Sequence, residues 1–331
     1  MPYQKSPEIC PVCQKEADFK FIQDYENEGK EWSLYQCSKC QIQFWIPFEN
    51  PGAKQYGEVA DYTDKISILR KEYCWLIFDN YWYMTQFLKH LPHTNPEGKK
   101  LLDLGCGGGE FLWIMQNLGY QVYGVDFNEN AINFAKNYLG INKNIYKEDV
   151  ISFLEGKKEG YDVITAFEIV EHLDNPKRLI ELVYQALKPG GYFVASVPNR
   201  KRFFGKITPP EDYPWRHLTR WDTSSLNSLI KIYPFEIMAV KKQIPTDWLI
   251  GRLWILIKFI FQSVKRIKLS KVENKYSSIE PIERIQKTIG LKRYKFIKSA
   301  IKFLLYLPAL FLFYVFKFEG SEMYFLVKKK Y

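Results

Sequence analysis

The chain has 331 residues, 47% of them hydrophobic and 17% aromatic, which supports one large core with a small module and excludes a disordered or fibrous class. Its net charge of +10 is unevenly spread: residues 241–331 hold 20 Lys and Arg against 6 Asp and Glu, whereas residues 1–240 hold 27 against 31. The basic character therefore belongs to one region and asks for a local explanation.

The opening stretch MPYQKSPEICPVC joins no basic run to an apolar one, so the N-terminus reads as cytoplasmic. Within residues 1–50, Cys10-x-x-Cys13 and Cys37-x-x-Cys40 are separated by 23 residues and flank strand-like runs such as FKFIQDY and WSLYQC. Each CxxC turn can chelate one ion, and two turns make a closed S4 site for Zn²⁺. The pattern predicts a zinc ribbon with Cys10, Cys13, Cys37 and Cys40 as ligands. A closed site leaves no open position, so its role is structural or a docking surface, and the metal supplies much of the folding energy of so small a module. Cys74 and Cys106 remain as free thiols.

Residues 51–98 read as a helical lid or linker, with an aromatic helix over 61–91. From 99 to 243, short apolar runs (LLDLG, QVYGVD, NIYKED, YDVITAF, GYFVASVP, FEIMAV) alternate with helical patterns. That alternation predicts a mostly parallel sheet covered on both faces. Residues 244–318 break the rhythm with WLIGRLWILIKFIF and FLLYLPALFLFYVF. Residues 319–331 then supply EMYFLV, a last strand expected to lie beside FEIMAV across an insertion of about 75 residues.

The run LLDLGCGGGEFL is a strand, a tight turn and a helix start. Gly105 and Gly107 fit a GxGxxG dinucleotide loop, but the third position is Glu110. A carboxylate opening the helix is a poor neighbour for pyrophosphate, which seeks the positive helix end. With Asp103 just before the turn, the loop suits a ligand that carries a cation. DLGCGGGEF resembles the first motif of class I S-adenosylmethionine-dependent methyltransferases, and the resemblance runs on over residues 99–200. Asp126, 21 residues after Gly105, matches the carboxylate that accepts both ribose hydroxyls in that family. Asp149 in KEDV matches the residue that holds the adenine amine, and LKPGGYFVASVPN matches the turn into the fifth strand. The resemblance implies cofactor contacts at Asp103, Gly105, Gly107, Asp126, Asp149, Val150 and Phe167. It also implies an α/β fold: a doubly wound, mostly parallel, seven-stranded Rossmann-like sheet with the small N-terminal zinc ribbon and a helical insertion before the last strand.

A second constellation is FEIVEHLDNP with the later WRHLTRW. On a helix start, Glu168, Glu171 and His172 share one face, at the carboxyl end of the strands where ligands bind. With His217 they form a candidate Mg²⁺ or Mn²⁺ site. ExxEH with a later histidine resembles the metal-dependent 2′-O-methyltransferases of small-RNA 3′ ends and the O-methyltransferases of ubiquinone biosynthesis. In those families the metal orients and acidifies the attacking hydroxyl. Without metal, His172 or His217 is the candidate general base. Against this, EHL followed by DNP also occurs in related methyltransferases with no metal. Trp215, Arg216 and Trp221 either wall an acceptor pocket or fill the core.

FLLYLPALFLFYVF, residues 303–316, is too short as a helix to span a bilayer. It either caps an acceptor pocket or lies in an anionic membrane interface with neighbouring Lys and Arg. Together these residues predict a cytoplasmic methyltransferase, peripheral on the membrane, that methylates a hydroxyl of a small, lipid-linked or glycan-linked acceptor. The alternatives are an RNA 2′-O-methyltransferase and a binding protein that holds S-adenosylmethionine without turnover.

Overall fold

The structure, a computed structural model, describes residues 2–27, 29–49, 81–91, 95–202, 212–243, 311, 315 and 319–331. The expected lid before residue 81 and nearly all of the insertion at 244–318 lie outside the described residues. The chain divides into two compact units, residues 1–242 with 322–331, and residues 243–321. In the second, the Gly320 N–H donates to the Gln243 carbonyl and the Ser321 hydroxyl to the Gln243 side chain.

The first unit contains two sheets. The larger combines β4 (Lys100–Leu104), β5 (Gln121–Asp126), β6 (Ile145–Lys147), β7 (Tyr161–Phe167), β8 (Leu187–Pro198), β10 (Phe235–Lys242) and β11 (Glu322–Lys329). Their spatial order is β10-β11-β8-β7-β4-β5-β6. The pairs β4–β5, β4–β7, β5–β6 and β7–β8 are parallel, and β11 is antiparallel to both β8 and β10. FEIMAV and EMYFLV are thus neighbours, as expected. Leu101, Leu102 and Leu104 of β4 are fully buried, because a central parallel strand is covered on both faces and cannot alternate with polar residues. The edge strand β10 exposes Ile237 and Met238.

Helices α1 (Trp82–His90), α2 (Glu110–Asn117), α3 (Glu129–Asn137), α4 (Val150–Leu154), α5 (Pro176–Ala186) and α6 (Thr223–Ile230) accompany this sheet. Their starts follow local chemistry. Asn128, Asp149 and Asn175 accept backbone N–H bonds as N-caps, Pro176 opens α5, and Asp222 with Ser225 forms a capping box. The DNP stretch is therefore a helix start.

The smaller sheet is antiparallel, in the order β1-β2-β3-β9: β1 (Phe19–Asn27), β2 (Lys30–Cys37), β3 (Gln43–Ile46) and β9 (Thr219–Arg220). Three strands come from the cysteine module. The fourth comes from the methyltransferase-like core, directly after WRHL, a pairing that the sequence does not announce.

Candidate active site

Register aligns the carboxyl ends of β4, β5, β7 and β8 along one edge of the large sheet. Leu104 pairs with Val125 and Ala166, and Phe167 pairs with Ser196. The glycine turn leaves β4 at this edge. The N–H groups of Gly105 and Cys106 donate to the Val125 carbonyl at 2.8 and 3.0 Å. Gly107 N–H donates to Asp126 Oδ2 at 2.9 Å, and Asn128 N–H donates to Oδ1 at 2.8 Å. Asp126 thus fastens the turn through one oxygen and the following loop through the other. Burial raises its pKa, and the two N–H bonds oppose that rise.

Gly105 has φ +68°, and a Cβ there would lie 2.0 Å from Ile169 Cδ1. Ile169, just after β7, therefore packs over the turn, and only glycine fits. Gly105→Ala is expected to lower stability by about 1–3 kcal/mol, read as a drop in the thermal midpoint. An unchanged midpoint would contradict this packing.

Of the other expected cofactor residues, Asp103 is buried and accepts from Thr165 Oγ1 at 2.6 Å. Phe167 stacks on Tyr83 of α1 with ring centroids 4.9 Å apart and meets Phe111 edge-on at 5.1 Å. Asp149 Oδ1 is occupied as the cap of α4, bonded by Ile151 and Ser152 N–H, while Val150 is buried behind it.

The second constellation differs from its expected geometry. In place of a helix start there is a single 3₁₀ turn, Val170–His172, and Glu168 precedes it in a left-handed conformation, φ +53°. Glu168 consequently leaves the face shared by the others. Its Oε1 accepts from Ser196 Oγ at 2.7 Å. Glu171, His172 and His217 remain together, each offering a ligand atom within 4.8 Å of the others. Glu171 Oε1 lies 3.8 Å from His172 Nε2 and 4.0 Å from His217 Nε2. Both carboxylate oxygens of Glu171 are buried without a hydrogen-bond partner, which is costly for a carboxylate unless a cation satisfies it.

The far nitrogens of both imidazoles are held. His172 Nδ1 lies 2.6 Å from the Arg216 carbonyl, and His217 Nδ1 lies 3.4 Å from Asp212 Oδ1. Such bonds fix the tautomer that turns an Nε2 lone pair toward a shared point. Asp212 in turn pairs with Arg202. Asp212 belongs to no motif, and Ser196 lies within LKPGGYFVASVPN without being marked there as a partner of Glu168, so the sequence offered no signal for these contacts. Trp221 is fully buried and its Nε1 donates to Thr219 Oγ1; it belongs to the core.

Burial and the His217 ring hold His172 far below its usual pKa, at about 3, so it stays neutral at working pH. Burial raises Glu168 to about 7 against the Ser196 bond and the Arg202 charge, and raises Asp103 to about 7 against the Thr165 bond. Glu171 is raised well above the carboxylate range by burial, then by the Glu168 charge. Carboxyls raised in the folded state keep protons that the unfolded chain would lose. For Glu168 and Asp103 this favourable contribution is complete at about pH 4 and disappears as pH rises through about 7. Asp222, lowered by Ser225 N–H, Lys201 and Arg200 despite burial, loses its contribution only on acidification below that window. The ligand-free chain is therefore expected to melt roughly 5 °C or more lower at pH 7.5 than at pH 5. A flat profile in calorimetry would show that these carboxyls are not raised.

The four module cysteines also converge. Their sulfurs lie within 4.8 Å of one another, all four residues are buried, and Cys10 Sγ is 3.9 Å from Cys40 Sγ. A tetrahedron with Zn–S of about 2.3 Å has S–S edges of about 3.8 Å, so the donor set fits zinc. Mutual hydrogen bonding brings Cys13 down to about 2 and pushes Cys10 up to about 12. A cation resolves that competition by taking all four as thiolates.

Residues 79–239 match the model of a methyltransferase domain family. The ubiquinone biosynthesis O-methyltransferase of Shewanella sp. (strain ANA-3) is 36% identical over 148 residues, 43% of this chain and 61% of that protein. Its counterpart in Coxiella burnetii is 38% identical over 109 residues, 31% of this chain and 45% of that protein. The matches thus span less than two thirds of these relatives. Among solved structures, a SAM-dependent methyltransferase from Archaeoglobus fulgidus aligns with 80% of this chain and 100% of its own, at 20% identity and a TM-score of 0.45. The match to the methyltransferase domain family covers residues 79–239, the stretch that holds the glycine turn and its Asp126 clamp.

Proposed function

We infer that the chain is an S-adenosylmethionine-dependent O-methyltransferase acting on a hydroxyl of a small acceptor. The observation that carries this reading is the cluster of Glu171, His172 and His217, at the same sheet edge as the Gly105 turn and Asp126.

In this reading the Asp126 carboxylate, beside the glycine turn, holds the cofactor, which supplies a methyl group on sulfonium. Phe167 and Tyr83 provide an aromatic wall that excludes water. Glu171 and the Nε2 atoms of His172 and His217 hold a divalent cation, which lowers the pKa of an acceptor hydroxyl when bound. With Glu168 turned to Ser196, the set is two imidazoles and one carboxylate, which favours Mn²⁺ over Mg²⁺. His172 is too weakly basic to take the proton. Glu168, with its carboxyl at about 7, is suited to accept it near neutral pH. Most of the rate comes from holding donor and acceptor in line.

The curated relatives carry ubiquinone biosynthesis in their names, which supports a phenolic, lipid-linked acceptor. The charge of residues 241–331 supports work at an anionic membrane surface. No helix among the described residues is long and apolar enough to cross a membrane. The test is transfer of labelled methyl from S-adenosylmethionine to a soluble catechol, a polyprenylated catechol in anionic vesicles, and an RNA with a free 3′ end. Each is assayed with and without Mn²⁺. Mn²⁺-dependent labelling of a catechol supports the reading, and a preference for the prenylated one supports the membrane arm. Labelling of RNA alone would replace the acceptor class. Binding without transfer to any of them would favour a scaffold role.

A further inference from the structure

We propose that the cysteine module is a positioning device for His217: zinc binding holds the acceptor end of the site together, while the cofactor end stands without it. The proposal rests on the reading of Glu171, His172 and His217 given above.

Three ties connect the module to the segment bearing His217. The first is backbone pairing. Gln41 N–H donates to the Cys37 carbonyl and Cys37 N–H to the Ile42 carbonyl, closing the second CxxC turn. Strand β3 follows at once and pairs with β9, Gln43 with Arg220 and Phe44 with Thr219. Trp45 N–H donates to the Leu218 carbonyl at 3.1 Å, and Leu218 N–H donates to the Glu171 carbonyl at 2.9 Å. Leu218 is thus strung between the module and Glu171, with His217 as its immediate neighbour. The second tie is Arg200, whose guanidinium donates to the Gln41 carbonyl, Gln36 Oε1 and Asp222 Oδ2. The third is aromatic. Tyr213 stacks on Tyr25 at 4.3 Å and lies 5.7 Å from Trp45. The Tyr213 carbonyl accepts the N–H of Arg216 and His217, and the adjacent Asp212 holds His217 Nδ1.

Segment 212–220 is therefore seated on the module at both ends. The glycine turn draws its bonds from Val125, Asp126 and Cys106. A module this small depends on its metal for structure, so loss of zinc should loosen β3 and with it His217.

The full chain is compared with Cys37→Ser/Cys40→Ser, which removes two ligands, and with Tyr213→Ala, which keeps all four. Zinc content, S-adenosylhomocysteine binding by calorimetry, Mn²⁺ binding by electron paramagnetic resonance, and the ring signals of the four histidines by NMR are read. In the cysteine variant zinc is lost, S-adenosylhomocysteine affinity stays within about twofold, and Mn²⁺ affinity falls about 10- to 100-fold. The His172 and His217 signals shift, while the other two do not. In Tyr213→Ala the His217 signal shifts with zinc content unchanged, which decides the matter even if the cysteine variant does not fold. Unmoved His172 and His217 signals in both variants would overturn the proposal. Failure of Mn²⁺ to bind the zinc-loaded native chain would overturn the metal reading instead, and the histidine signals would still decide this one.

Discussion

Glu171→Gln is expected to abolish Mn²⁺ binding and lower methyl transfer about 10²- to 10⁴-fold, while raising the melting temperature of the metal-free chain. The two effects share one cause. Glu171 is 1% exposed, and neither of its carboxylate oxygens has a hydrogen-bond partner. The Nε2 atoms of His172 and His217 lie 3.8 and 4.0 Å from its Oε1. Those nitrogens present lone pairs, because the opposite Nδ1 atoms face the Arg216 carbonyl and Asp212. A carboxylate facing two lone pairs is destabilising until a cation enters or a proton is taken up. At neutral pH the metal-free chain must bury this charge or hold a proton that the unfolded chain releases, and a neutral group of the same shape removes that cost, about 1–3 kcal/mol. A glutamine N–H can also donate to an imidazole. The measurements are Mn²⁺ titration by electron paramagnetic resonance, initial rates with a catechol acceptor, and calorimetric melting. A variant that melts lower would mean that Glu171 is already satisfied, and one that binds Mn²⁺ like the native chain would remove it from the ligand set.

The sequence disclosed what local chemistry dictates. The alternation of apolar runs gave the large sheet, because parallel central strands such as Lys100–Leu104 bury their leucines on both faces. The paired CxxC spacing brought out the cysteine cluster, because each turn is a chelate by itself. EMYFLV and FEIMAV were legible as neighbours across a long insertion because both read as strands. What was not legible depends on tertiary placement. The spacing of Glu168, Glu171 and His172 suggested one helical face, but a left-handed φ at Glu168 swings it to Ser196. That conformation depends on the β8 hydroxyl, 28 residues away, and no periodicity encodes it. Asp212 is one of two adjacent acids in PPEDYPWRHL, and nothing in that pattern singles it out until His217 is found beside it. The two-residue strand Thr219–Arg220 is too short to carry a pattern, yet it joins the cysteine module to the site.

The largest effect at the cofactor end should come from Asp126→Ala. Asp126 does two things that an alanine cannot. Within the protein, its Oδ2 accepts Gly107 N–H at 2.9 Å and its Oδ1 accepts Asn128 N–H at 2.8 Å, so one side chain ties the turn after β4 to the loop after β5. Toward the ligand, in the proposed reading, the remaining lone pairs receive the two ribose hydroxyls. Charge-assisted hydrogen bonds of this kind contribute about 1.5–3 kcal/mol each, so losing both corresponds to at least about 10²-fold in Kd. Release of the Gly107 N–H adds a cost in ordering the turn. Asp126→Asn separates the contributions. Its amide oxygen can still accept one backbone N–H but carries no charge, so its affinity should fall between those of Asp126→Ala and the native chain. Calorimetric titration with S-adenosylhomocysteine checks both, and Mn²⁺ binding serves as control, since Asp126 is not among the residues clustered with Glu171. If Asp126→Ala still binds within about threefold of the native chain, where distant sites would leave affinity unchanged, Asp126 is only a loop clamp. The ribose would then have to be held by a residue that neither the motif nor the geometry brings forward.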